Sequence, residues 1–240
     1  MNLYEAIYSR RSVRSYRMEP IEQQTLDGIP EFLKELEPLF PDIRTEIKIL
    51  DNCTGRARIG GFCNVRAPYY AALYTEEKEK CEMNGGYLMQ QLALHLESRG
   101  LGSCFVGMAK KRDKELESQG MHFLILLAFG IPKNPHRSTD GEVKRYSLEE
   151  LCIFKEPPKA WVKEILEAAR LAPSSLNSQP WRFVVYENRI HVFSKKPLHD
   201  KKLLNRFQEM NFGIMLANVM VAAEEVWVDL DLIKLNNITH

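Results

Sequence analysis

Residues 171–183 contain a polar segment whose side chains could bind a ligand. Hydroxyl and amide groups follow one another there within six positions, at Ser174, Ser175, Asn177 and Gln179. They offer more donors and acceptors than a connecting loop needs, and they suit a planar ligand with many polar edges. The alternative is that Ser and Asn are ordinary turn residues that bond to their own backbone. We call residues 173–179 the polar turn.

A second segment, near the N-terminus, has the chemistry of a phosphate site. Residues 10–14 read Arg-Arg-Ser-Val-Arg, so three guanidinium groups, from Arg10, Arg11 and Arg14, surround the hydroxyl of Ser12. A phosphate monoester is held best by several charge-assisted hydrogen bonds, which Arg and Ser side chains supply. The alternative is that a short Arg run is only a solvated face. We call residues 10–14 the basic cluster.

Regular elements are predicted on both sides of each segment. A helix over residues 3–8 leads into the basic cluster, and a second helix is predicted over 21–39 with a kink near Pro30. A helix over 159–172, ended by Pro173, precedes the polar turn, and a buried strand over 182–186 follows it. Further strands are predicted at 46–50, 69–74, 103–108, 124–129 and 189–194, a polar loop at 130–145, and long helices at 81–99 and 203–225.

The order of elements recurs after Pro157 and Pro158, which we interpret as an internal boundary. We therefore predict two related halves, residues 1–154 and residues 155–240. In the long helices, Met83-Asn84-Gly85-Gly86 matches Met210-Asn211-Phe212-Gly213. Two amphipathic helices share a few identities by chance, so the prediction of a duplication rests on element order and identity together.

Together, the basic cluster and the polar turn resemble the nitroreductase family of FMN-dependent oxidoreductases. In that family Arg-Arg-Ser-x-Arg follows the first helix, and Pro-Ser-Ser-x-Asn-x-Gln-Pro-Trp follows the next. The resemblance implies an α+β fold with mostly antiparallel sheets flanked by helices. It also implies FMN at an interface between two subunits, with the phosphate on the Arg-Ser element of one and the flavin along the polar turn of the other.

The spacing of the two motifs departs from the family pattern. One helix separates them in the family, whereas about 160 residues lie between Arg14 and Pro173 here. The first half has Pro38-Leu39-Phe40-Pro41 where the polar turn would fall, and no Arg-Arg-Ser-x-Arg precedes Lys159. We therefore predict a single-chain pseudo-dimer, a monomer that mimics a homodimer and keeps one complete flavin site.

The resemblance adds residues to the predicted FMN site. The turn after the first long helix could bring backbone amides of Leu101 and Gly102 to the flavin, although a helix cap at Gly100 explains that turn without any ligand. A basic pair before residue 148 resembles one that closes on the phosphate, or is only a loop charge pair. The predicted cofactor-binding residues are Arg10, Arg11, Ser12, Arg14, Leu101, Gly102, Lys144, Arg145, Pro173, Ser174, Ser175, Asn177 and Gln179.

The activity implied by the resemblance is ping-pong hydride transfer through the flavin N5 atom. NADPH or NADH would reduce FMN and leave before a nitroaromatic, a quinone or a similar electron-poor acceptor enters. Because the flavin carries the chemistry, no catalytic side chain is predicted. The alternative is a flavin-binding protein without turnover, such as a sensor, a carrier or a vestigial enzyme.

Composition limits the expected partners to small molecules. The net charge is +1 and no polybasic tail is present, which argues against nucleic-acid and membrane-surface binding. Neither a signal peptide nor an apolar run long enough to cross a bilayer is visible. The five cysteines form no Cys-x-x-Cys pair and the six histidines are dispersed, so we expect reduced thiols, a cytoplasmic location and no metal site.

Overall fold

The computed structural model is an α+β fold, the class predicted from the sequence, and it contains two sheets of different size. It describes residues 1–57, 59–62, 65–134, 144–195 and 202–233, with the backbone alone for 202–206. The helices are α1 (Leu3–Ser9), α2 (Gln23–Glu35), α3 (Cys81–Ser98), α4 (Lys114–Ser118), α5 (Leu148–Leu151), α6 (Ala160–Leu171) and α7 (Lys202–Glu225). The strands are β1 (Thr45–Asp51), β2 (Gly60–Gly61), β3 (Tyr69–Glu76), β4 (Gly102–Val106), β5 (Ala109–Lys110), β6 (Met121–Gly130), β7 (Cys152–Phe154), β8 (Trp181–Val185) and β9 (Ile190–Ser194).

The larger sheet is antiparallel, with strand order β1-β3-β6-β4. Strand β3 is buried over nearly its whole length because both of its faces are covered. Tyr69 and Leu73 pack into a core shared with α3 and α6, whereas Tyr70 and Tyr74 pack into a second cluster on the opposite face. This alternation follows from the two-residue period of a strand, and the two-sided burial explains its continuous apolar sequence.

The smaller sheet draws strands from both parts of the chain. Strand β8 pairs antiparallel with β9 and parallel with β7. Within β8, Trp181, Phe183 and Val185 are buried, whereas Arg182 and Val184 between them are partly exposed. Strand β7 precedes the boundary predicted after residue 154, and β8 and β9 follow it. The first part of the chain therefore supplies a strand to the sheet of the second part.

The long helices α3 and α7 cross at a point where each carries a glycine. A Cβ atom at Gly86 would lie 2.2 Å from the carbonyl oxygen of Met210, and one at Gly213 would lie 1.9 Å from the carbonyl oxygen of Met83. Only glycine allows two backbones to approach this closely. In the sequence match, Met83 corresponds to Met210 and Gly86 to Gly213. The two contacts are therefore reciprocal, because the glycine of each helix lies against the matched methionine of the other. A two-fold axis between the helices would produce such reciprocity.

The predicted elements agree with the structure within three residues, with one exception. Helix α2 contains Pro30 but ends at Glu35, four residues before the predicted end at residue 39. Five short elements, β2, β5, α4, α5 and β7, were not predicted. Of the predicted polar loop at 130–145, residues 135–143 lie outside the described chain. Within the described ranges, no helix is both long and apolar enough to span a membrane.

Candidate functional site

The basic cluster leaves α1 in an extended form and lies along the start of β4. The backbone N–H of Val13 donates to the carbonyl oxygen of Ser103 at 2.9 Å, and Ser12 pairs with Ser103 as a parallel bridge. A Cβ atom at Gly102 would lie 2.5 Å from Cγ2 of Val13, so glycine permits this close approach. The structure thus brings the basic cluster together with Leu101 and Gly102.

Two buried donors within this region lack acceptors. Arg10 is 6% exposed and Ser103 is 1% exposed. Neither Arg10 Nη1 nor Ser103 Oγ has a hydrogen-bond partner among the described residues. Burial lowers the pKa of the Arg10 guanidinium, and the negative charge of Glu97 opposes this effect. Because an unpaired buried donor is costly, an anion that reached these atoms would be stabilised.

The other members of the basic cluster are more accessible. Arg11 and Ser12 are half-buried, and Arg14 is exposed. Burial raises the pKa of the neighbouring Cys104 thiol, whereas the positive charges of Arg14 and Arg10 and a hydrogen bond with Ser12 lower it. Arg10, Ser12 and Arg14 therefore all act on Cys104 of β4, but they differ in burial and are not equivalent as anion ligands.

The polar turn is held in a strained conformation between α6 and β8. Leu176, Asn177 and Gln179 have φ angles of 54°, 54° and 43°, in the left-handed region. That region costs a residue other than glycine about 1 kcal/mol or more, and such strain persists only where surrounding contacts enforce it. The backbone N–H of Gln179 donates to Ser174 Oγ at 2.9 Å, and its buried Oε1 accepts from the Tyr146 N–H at 2.8 Å.

A residue of α7, Asn211, anchors the start of this turn. Its Oδ1 accepts from the backbone N–H of Ser175 at 3.0 Å and from the Ser175 hydroxyl at 3.3 Å. Asn211 is 3% exposed. Neither Asn211 nor Ser103 was among the site residues predicted from the sequence. The match of Asn211 with Asn84 in the other long helix was the available signal for Asn211.

Lys144 and Arg145 lie against the polar turn. Arg145 Nη1 donates to Asn177 Oδ1 at 2.6 Å, and Asn177 Nδ2 donates to the Lys144 carbonyl oxygen at 2.9 Å. Burial, followed by the positive charges of Arg10 and Arg170, lowers the pKa of Arg145 to about 10. Within the described chain, Arg145 Nε is also buried without a partner. The effect of Arg10 on Arg145 means that the basic cluster and the polar turn, distant in sequence, share one electrostatic environment.

The thirteen predicted residues thus form two groups, and the positive charge of Arg10 in one lowers the pKa of Arg145 in the other. One group is the basic cluster with Leu101 and Gly102, and the other is the polar turn with Lys144 and Arg145. Pro173 is buried beneath the turn. In the ranges that the structure covers, no set of three or more His, Cys, Asp or Glu side chains could hold a metal ion. The arrangement is chemically suited to an anion bound beside a polar, strained turn.

Known proteins similar to this chain include several that are described as nitroreductases. Residues 2–223 match the family described as "Putative TM nitroreductase". A "Putative NAD(P)H nitroreductase" of Staphylococcus haemolyticus (strain JCSC1435) is 37% identical over 86 residues, which are 35% of this chain and 38% of that relative. The chain therefore spans well under half the length of this curated relative.

Solved structures share the fold. The crystal structure of a "putative nitroreductase" from Thermotoga maritima MSB8 is 20% identical and aligns with a TM-score of 0.68 over 95% of this chain and 86% of that chain. A nitroreductase with bound FMN from Bacteroides fragilis NCTC 9343 is 18% identical, with a TM-score of 0.45 over 60% of this chain and 95% of that chain. Because the family match covers nearly the whole sequence, the chain belongs to this nitroreductase family.

Proposed function

We propose that this protein is an FMN-dependent NAD(P)H oxidoreductase of the nitroreductase type. The observation that carries the proposal is that three buried donor atoms, Arg10 Nη1, Ser103 Oγ and Arg145 Nε, have no acceptor within the part of the chain that the structure describes. An anion with several oxygen acceptors would satisfy them, and a phosphate monoester has this chemistry. Membership of a nitroreductase family and the NAD(P)H in the name of the Staphylococcus relative support the same assignment.

The residues present fit both the phosphate end and the flavin end of FMN. Arg10, Ser12 and Arg145 would hold the phosphate, with Arg14 at its exposed side. Ser175 and Asn177 would bond the polar edge of the flavin, and the backbone amides of Leu101 and Gly102 would approach its ring. We propose all thirteen predicted residues as this site and add Ser103 to them.

The roles of the protein are binding, orientation and electrostatics. FMN, when bound, would supply hydride-transfer chemistry between NADPH or NADH and an acceptor such as a nitroaromatic or a quinone. The strained polar turn would orient the ring. The positive charges of Arg10, Arg14 and Arg145 favour a ligand that gains negative charge. No side chain is required as a general acid or base.

We further propose that one chain forms this site from two halves, residues 1–154 and 155–240. The reciprocal contact of Gly86 and Gly213 supports a two-fold relation between the halves. Only the first half contributes a basic cluster, and only the second contributes the polar turn. A single flavin per chain is therefore expected, in a protein that acts as a monomer on small molecules.

The visible absorption spectrum of the purified protein, with released FMN counted per chain and native mass measured, tests the proposal. We expect one FMN per monomeric chain and bleaching of the flavin bands by NADPH or NADH under anaerobic conditions, followed by reoxidation with a nitroaromatic or a quinone. Two FMN per chain would contradict the single split site. A colourless protein that takes up no FMN would contradict the function, and bound FMN that neither nucleotide reduces would indicate a carrier or sensor.

A further inference from the structure

We propose that Asn211 is a positioning residue that presents the polar turn to the flavin, and that Asn84 makes the equivalent contact in the first half without serving a ligand. The inference rests on the proposed function, because it assigns a role towards FMN. It adds a residue of α7 that contacts the turn and need not touch the cofactor. The sequence motifs of the site do not contain it.

The contact of Asn211 determines what Ser175 can offer a ligand. One Asn211 oxygen accepts both the backbone N–H and the hydroxyl hydrogen of Ser175, at 3.0 and 3.3 Å. A hydroxyl has a single hydrogen, and this one is donated to Asn211. Ser175 Oγ therefore keeps only acceptor lone pairs for a ligand. It suits an N–H or a hydroxyl of the ligand rather than a second carbonyl.

Asn84 has the same relation to the corresponding turn of the first half. Its Oδ1 accepts from the backbone N–H of Phe40 at 3.0 Å, and its Nδ2 donates to the Phe40 carbonyl oxygen at 3.4 Å. Phe40 is the third residue of Pro38-Leu39-Phe40-Pro41, as Ser175 is the third residue counted from Pro173. The same bond, from a backbone N–H of a turn to an Asn Oδ1 of a long helix, thus occurs twice. Asn211 accepts it from the polar turn, and Asn84 accepts it from the apolar segment at residues 38–41.

The helix crossing fixes the position of Asn211. Met210, on one side of it, provides the carbonyl oxygen closest to Gly86, and Gly213, two residues beyond it, lies against Met83. A side chain between two such close contacts has little freedom to move along α7. Its hydrogen bonds hold Ser175, the first residue of the 3₁₀ turn that carries the strained Leu176 and Asn177. Asn211 therefore connects the close crossing of α3 and α7 to the strained polar turn.

Three variants test the inference: Asn211→Ala, Asn211→Asp and Asn84→Ala. We measure the FMN dissociation constant by fluorescence titration, urea unfolding, and amide hydrogen exchange of residues 174–179. Asn211→Ala is expected to weaken FMN binding by about tenfold or more, as for a lost hydrogen-bonded support, and to speed exchange at these residues. Asn211→Asp keeps an acceptor for both Ser175 donors and should restore affinity to within about threefold.

Asn84→Ala is the matched control because it removes an equally buried amide from the other turn. It should reduce the free energy of unfolding by a similar amount but leave FMN affinity and exchange at 174–179 unchanged. Equal losses of affinity in both alanine variants would overturn the inference, as would unchanged exchange in Asn211→Ala. If the unaltered chain binds no FMN, the proposed function fails, and exchange at 174–179 still decides whether Asn211 holds the turn.

Discussion

The two sides of the α3–α7 pair differ in what covers them. Helix α1 packs across α3, α6 and α7, and where it meets α7 its Ala6 shares a cluster with Ala168 of α6 and Ala222 of α7. Beside α3, the His95 ring stacks on Phe32 of α2, with ring centroids 3.9 Å apart and an angle of 11° between the planes. Counted from the matched Met83 and Met210, His95 falls opposite Ala222. The stacked rings of Phe32 and His95 therefore occupy the position that corresponds to the one where α1 packs at Ala222.

This difference teaches why the proposed site occurs once. Helix α1 leads directly into the basic cluster, so the side of the pair that accommodates α1 also receives the residues proposed to bind phosphate. On the other side, Phe32 and His95 fill the space between α2 and α3. The asymmetry of the site is thus built into the packing of the core and is not confined to the residues that would touch FMN. Four changes test this comparison.

Disrupting the close crossing of α3 and α7 should have the largest effect on stability. Gly213→Ala would place a Cβ atom 1.9 Å from the Met83 carbonyl oxygen. Backbone would have to move, so we expect the free energy of unfolding in urea to fall by about 3 kcal/mol. Gly28→Ala in α2 is the control, since nothing lies within 4 Å of its added methyl. That variant should gain up to about 1 kcal/mol from helix propensity, and equal behaviour of the two would refute the close crossing.

The ring stack beside α3 should make stability depend on pH. Burial, together with the positive charge of Arg99, lowers the pKa of His95 from 6.5 to about 4. Between these values the unfolded chain binds a proton that the native chain does not, so stability falls as the pH decreases through this window. We expect a loss of about 2–3 kcal/mol from this group, complete near its folded pKa.

The measurement for His95 is urea unfolding at about pH 7 and about pH 4.5. His95→Gln should flatten the dependence between these conditions, whereas His122→Gln, on β6, should retain it. If His95→Gln kept the wild-type change in the free energy of unfolding between the two pH values, His95 would not be the source of the pH dependence.

On the side with α1, the arginines of the basic cluster should contribute unequally. Arg10→Ala should weaken FMN binding by about 2 kcal/mol because a buried charged hydrogen bond to phosphate is lost. Arg14 is exposed, so Arg14→Ala should cost less than about 1 kcal/mol. Fluorescence titration at fixed ionic strength measures both. A larger effect at Arg14 would place the phosphate away from Arg10.

A smaller effect than at Arg10 is expected at Asn177, where the contribution of the side chain can be separated from that of backbone strain. Both Asn177→Gly and Asn177→Ala remove the amide side chain. Glycine adopts the φ of 54° readily, whereas alanine disfavours this backbone conformation. Loss of the bond to the flavin edge should cost about 1 kcal/mol of FMN affinity in both variants. Wild-type affinity in Asn177→Gly would mean that the residue shapes the turn but does not bind the ligand.

Sequence periodicity was sufficient for the long elements and insufficient for the short ones. Helices α3 and α7 repeat apolar residues over several turns, and their bounds were predicted within one residue. Strands β2 and β5 have two residues each, and Gly60 and Gly61 carry no periodic signal. The family was identified from two motifs, whose spacing also led to the prediction of two halves.

Two site residues depended on contacts that no local pattern contains. Ser103 carries a single hydroxyl in an apolar strand. It lies beside the basic cluster only because Ser12 pairs with it along β4. Asn211 lies 36 residues from Ser175, and their bond depends on where α7 crosses α3. The sequence match of Asn84 with Asn211 indicated a repeated residue but not its partner.

The parallel pairing of β7 with β8 has a practical consequence. The link between the two parts of the chain passes through exposed residues at Glu156 and Pro157. A cut there would leave one fragment ending in a strand without its sheet and another fragment with a sheet missing that strand. The vacant strand position and the α3–α7 crossing would give such fragments complementary surfaces through which to reassociate. A cut at this link is therefore a starting point for a split reporter, in which recovery of the proposed flavin colour would signal that both pieces are present in the same compartment.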